Sequence, residues 1–151
     1  MAETAAASTA TLFSLKSPKL ADGRMDNHVA KTDLMSVIVK VYASGGENAM
    51  HQHPHEDHAF VVLEGQATFH LGTDDNIKVC NKYDGVMLPK GTNYWFQSSA
   101  PENLVMLRMG AAQARPENWR AFPDGKPFVG KPKENKRIEP VVVPGEFVAV
   151  P

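Results

Sequence analysis

The chain has 151 residues, of which 42% are hydrophobic, which suits one domain with a buried core and argues against a two-domain enzyme. Lys plus Arg number 16 against 17 for Asp plus Glu, so the net charge of -1 offers no broad attractive field to nucleic acid or to an anionic membrane, and neither is an expected partner. The single cysteine, Cys80, excludes an internal disulfide and a multi-cysteine metal site, and a reducing cytoplasm is the expected location.

Residues 1–24 read as a partly disordered N-terminal tail. It is rich in Ala, Ser and Thr and carries Glu3 but no basic residue before Lys16, so it lacks the basic region of a signal peptide. No apolar run approaches the ~18 residues of a membrane span, and a soluble protein is expected. A weakly marked strand covers His28 to Lys31. From there the chain alternates short apolar runs with breakers, the pattern of an antiparallel sandwich or barrel. The expected strands are Ser36 to Ala43, His58 to Gly65, Gln66 to Gly72, Asn76 to Asn81, Gly85 to Leu88, Tyr94 to Ser98 and Asn103 to Met109. The barrel is assigned to residues 25–112. Residues 113–151 form a proline-rich arm, with at most a helical turn near Pro116 to Arg120 and apolar islands at Val141 to Val143 and Phe147 to Val150. Islands this regular predict an arm laid across the barrel or across a second subunit.

Four of the six histidines, His51, His53, His55 and His58, fall within eight residues, where even spacing predicts fewer than one. His51 and His53 are two apart, so on a strand both imidazoles share a face. His58 opens the next apolar run after the Pro54-His55-Glu56-Asp57 turn signal and faces the pair across a hairpin. Three converging imidazoles suit a divalent transition metal, with Zn, Fe, Ni, Cu and Mn compatible, and leave coordination positions open. His55 reads as solvent-facing or as supporting the ligands, His70 as a polar strand position, and Cys80 as a small core residue.

The run Gly45, five residues, His51-Gln52-His53, four residues, His58, six residues, Gly65 resembles the first signature motif of the cupin superfamily. Tyr83 to Tyr94, with its Pro89-Lys90-Gly91 turn, is similar to the second. The resemblance implies an all-β antiparallel barrel of the double-stranded β-helix or jelly-roll type, here with extended N- and C-terminal arms. It departs in two ligand positions: His58 stands where cupins place a metal-binding Glu, and Tyr94 where they place a final His. Tyr83 also replaces a glycine. The implied metal set is His51, His53 and His58 with Tyr94 as fourth ligand or proton donor and acceptor, and Asp57 is the substitute ligand. The implied cofactor is one divalent transition metal, Fe, Zn, Ni or Mn.

Phe60, Val62, Met87, Phe96, Met106 and Arg108 are the expected pocket residues, with Arg108 placed either to bind a substrate carboxylate or to form a rim ion pair. The strand from His58 is apolar on both faces, which predicts cover by the second sheet and tail or by another subunit, and hence a homodimer. The expected function is a metal-dependent enzyme acting on a small molecule, of the dioxygenase type. The alternatives are an isomerase, cyclase or lyase, or a non-catalytic small-molecule or sugar-binding cupin.

Overall fold

The computed structural model describes residues 9–44, 48–113, 120–127 and 138–151. Among these residues ten strands follow in order: β1 (Ser17–Asp22), β2 (Arg24–Lys31), β3 (Met35–Tyr42), β4 (Asp57–Glu64), β5 (Ala67–Leu71), β6 (Ile77–Cys80), β7 (Gly85–Leu88), β8 (Tyr94–Ser98), β9 (Leu104–Ala111) and β10 (Val141–Val148). Every strand expected from Ser36 onward forms, with ends displaced by no more than two residues. The weakly marked strand at His28 is the second half of β2. No helix long and apolar enough to cross a membrane occurs among the described residues.

A five-stranded antiparallel sheet, in the order β2-β3-β9-β4-β7, faces a three-stranded sheet, β6-β5-β8. Between them lies a core of Tyr42, Phe60, Val62, Phe69, Phe96, Leu104 and Met106. The rings meet mostly edge-on, as Tyr42 does with Phe96 at 5.3 Å and Phe60 with Phe69 at 5.5 Å, the arrangement that ring quadrupoles favour.

β1 and β10 are strands where the sequence suggested a tail and an extended arm. They pair with each other, Ser17 opposite Val148 and Leu20 opposite Val142. The register slips around Pro144 and Gly145, which β10 tolerates because among the described residues β1 is the one strand paired with it. Leu20 and Val148 press onto Val39, Val41 and Val105, with Leu63 and Leu107 alongside. On the second apolar face of β4, Leu63 packs against the chain's own arms, while Ala59 and Val61 stay half-buried. The expected turn at 116–120 lies outside the described residues up to Arg120, and so do Gly45 and Trp119.

Candidate metal centre

Register determines which side chains enter the barrel. Ser36, Gly110, His58 and Leu88 lie in one row across β3, β9, β4 and β7, and Ile38, Arg108, Phe60 and Val86 form the next. His51 is bridged to Tyr94 by paired backbone hydrogen bonds of 3.1 and 2.8 Å, so the first histidine is pinned to the start of β8. The Pro89-Lys90-Gly91 turn is tied to the same segment, with Gly91 N–H donating to the His53 carbonyl at 3.0 Å. Gly91 adopts φ +82°, a left-handed value that disfavours side chains. Tyr83, where cupins carry glycine, adopts φ +73° and bears that strain.

His53, Glu56 and His58 bring two imidazoles and a carboxylate together, all buried, with ligand atoms within 4.8 Å of one another. The Glu56 carboxylate occupies the space that a side chain at Gly110 would fill: a Cβ there would collide with Glu56 Oε1 and approach Ser36 Oγ to 3.0 Å. Arg108 Nη2 lies 3.2 Å from Glu56 Oε2 and also contacts His58 Nε2. A guanidinium has only donors, so His58 Nε2 presents a lone pair and the ring proton is on Nδ1, which donates to the Tyr94 hydroxyl at 3.2 Å. His51 follows the same logic, its Nδ1 donating to the Ala49 carbonyl at 2.7 Å. Both rings therefore hold the tautomer that ligates through Nε2.

His58 Nε2 and Glu56 Oε2 approach to 3.2 Å. Two acceptors at that separation repel unless a cation lies against both, and Arg108 is that cation here. Burial drives the imidazoles toward their neutral form: His51 is pushed down to about 4, His53 well below the ordinary imidazole range, and His58 down as well despite the opposing Glu56 carboxylate. Burial pushes the Tyr94 phenol up, against the opposing charge of Arg108, so it is a neutral O–H at physiological pH. Neutral imidazoles, one carboxylate and a cradle shaped to that carboxylate fit a divalent transition metal, and His53, Glu56 and His58 would hold it.

A double-stranded β-helix protein from Klebsiella pneumoniae superposes with a TM-score of 0.61 at 22% identity, covering 75% of this chain and 96% of that one. The cupin domain of Schizosaccharomyces pombe Cnp3 superposes at 0.55 and 16% identity, covering 62% and 67%. The chain has the cupin fold. No family model matches the chain. Among curated proteins it is similar to acireductone dioxygenases, at 33% identity over 73 residues in Pseudomonas fluorescens and 30% over 92 residues in Hahella chejuensis. Those alignments take in 47% and 59% of this chain, and 38% and 48% of the relatives, so the chain spans less than half their length.

The structure places the expected site residues unequally. His53 and His58 converge. His51 is buried and packs edge-on against His53, ring centroids 5.1 Å apart, but it lies outside the three-residue cluster. Tyr94 points inward and reaches His58. Arg108 is inward and buried. Phe60, Val62, Phe96 and Met106 are packed core beneath the histidines, with the Phe60 ring 5.9 Å from both His58 and Tyr94. Met87 is a correction: it is 67% exposed, because β7 sets Leu88 opposite the inward-facing His58 and gives Met87 the other parity. Asp57 also points outward, its carboxylate accepting the Lys90 N–H at 2.7 Å, and His55 is exposed. His70 stacks on Trp95 at 3.9 Å on the outer side of the small sheet. Sequence reasoning missed Glu56, which was absorbed into the turn signal. Its separation of two from His58 was the available clue.

Proposed function

We propose that this cupin is a metal-dependent enzyme of the dioxygenase type acting on a small molecule. The observation that carries the reading is the buried His53–Glu56–His58 cluster, and the acireductone dioxygenases among its relatives supply the reaction type. A divalent transition metal bound there would supply a Lewis acid and, for a redox-active ion, the means to engage oxygen and substrate together. The chain's own groups do the rest. Burial keeps the histidines neutral and ligand-competent. His58 is oriented by its Nδ1–H to the Tyr94 oxygen, and Tyr94 offers a hydroxyl that can pass a proton beside the bound substrate. The aromatic floor of Phe60 and Phe96 excludes water from below.

Oxygen uptake with acireductone, the substrate in the relatives' names, is the test. Protein loaded with ferrous or nickel ion should consume oxygen above the metal-free control, and His53→Ala and Glu56→Gln should fall to background. A chain that retains no divalent metal would overturn the proposal, and metal retention without oxygen uptake would move the reaction to isomerase or lyase chemistry.

A further inference from the structure

Arg108 is the buried cation that touches two of the three metal-binding atoms. Its guanidinium stands 3.2 Å from Glu56 Oε2 and against the Nε2 lone pair of His58. Its backbone position is fixed by β9, with Phe60 on one side and Ile38 on the other. One lone pair on Nε2 cannot serve a guanidinium and a metal ion at once, and two cations sharing one carboxylate in a buried volume repel each other. We infer that Arg108 is an internal competitor of the metal: it holds Glu56 and His58 together in the metal-free chain and must leave His58 when a divalent ion binds. The inference rests on the metal-centre reading above and adds to it the residue that sets the affinity of the site.

Two consequences follow from the chemistry of the contacts. The first concerns selectivity. Displacing a guanidinium from an imidazole favours ions that themselves gain from nitrogen donors, so Arg108 biases the site toward transition metals and against Mg²⁺ and Ca²⁺, which gain little from imidazole. The second concerns stability. Without Arg108 the metal-free protein carries a buried Glu56 carboxylate beside an unopposed acceptor, and that arrangement is costly until a metal replaces the missing cation.

The test is Co²⁺ titration of the untagged protein at neutral pH, followed by the visible ligand-field spectrum, on wild type, Arg108→Leu, Arg108→Lys and His53→Ala, with thermal melts of each in the metal-free and Co²⁺-loaded states. Arg108→Leu should bind Co²⁺ at least about tenfold more tightly than wild type. Its metal-free melting temperature should drop and the rise on loading should be larger. Arg108→Lys, whose ammonium lacks the planar fork, should fall between the two and guards against a Leu variant that fails to fold. Mg²⁺, silent against wild type, should compete with Co²⁺ in Arg108→Leu. Co²⁺ affinity that is unchanged or weaker in both Arg108 variants, while His53→Ala weakens binding on the order of 100-fold, would overturn the competitor role and leave the metal centre standing. Wild type and His53→Ala behaving alike would instead overturn the metal centre and the inference with it.

Discussion

The two faces of the five-stranded sheet are built from alternate residues of the same strands and serve opposite ends. Outward, Val39 and Val41 of β3 and Val105 of β9 meet Leu20 and Val148 from the paired arms, an apolar contact at whose edge the Asn103 amide pairs with both backbone groups of Leu20. Inward, Lys40, His58 and Arg108 share the barrel with Phe60, Val62 and Met106, so charge is buried next to aromatic rings. A buried ion pair is weak evidence for stability, whereas an apolar contact of this kind is strong evidence for it. The outer face is therefore given to stability alone, whereas the inner face combines the aromatic core between the sheets with a site.

Substitutions should separate the two. Leu20→Ala removes a side chain that is 2% exposed and should lower unfolding free energy by about 3 kcal/mol, measured by urea denaturation of the metal-free protein, with metal affinity per folded molecule unchanged. His53→Ala should do the reverse, weakening Co²⁺ binding on the order of 100-fold while the metal-free melting temperature changes much less than in Leu20→Ala. Loss of metal affinity in Leu20→Ala would show that the faces are coupled. Tyr94→Phe removes the acceptor of the His58 Nδ1–H and should weaken Co²⁺ binding by about tenfold in the same titration, with the hydrophobic packing of the ring retained.

Acid also distinguishes the faces. The His51 imidazole titrates near 4 in the folded chain and near ~6.5 when free, so between those values the unfolded chain binds a proton that the folded chain does not. The stability of the metal-free protein should therefore be full above pH ~6.5 and fall as pH drops toward 4. His53 and His58 shift in the same direction and steepen the slope. Leu20→Ala should keep that slope and His51→Gln should flatten it, as read from urea midpoints across the range. The smallest expected effect belongs to the turn before β7: Tyr83→Gly relieves φ +73° at a side chain that is 76% exposed and should stabilise the protein by about 1 kcal/mol, with Co²⁺ affinity untouched.

What the sequence made legible was local. The strand runs, the His51-x-His53 pair and the Pro89-x-Gly91 turn each depend on neighbours in the chain, and all appear where they were expected. The partnership of β1 with β10 was not legible, because Leu20 and Val142 meet across most of the chain and Pro144 reads as a breaker unless the strand is known to have one neighbour. Met87 failed for a related reason: a strand of four residues gives two possible parities, and only its register against His58 chooses between them. Glu56 was hidden by Pro54. Alternation reasoning stops at a turn, yet the carboxylate swings back into the barrel because Gly110 leaves room for it.

The claim that His53, Glu56 and His58 form a metal centre is most directly tested by anomalous diffraction at the metal edge from crystals of the protein supplied with Co²⁺ at neutral pH. One anomalous peak should appear per chain, within ~2.0–2.2 Å of His53, Glu56 and His58 atoms, with the Arg108 guanidinium withdrawn from His58 Nε2. A peak elsewhere on the surface, or none with Arg108 still against both donors, would contradict it.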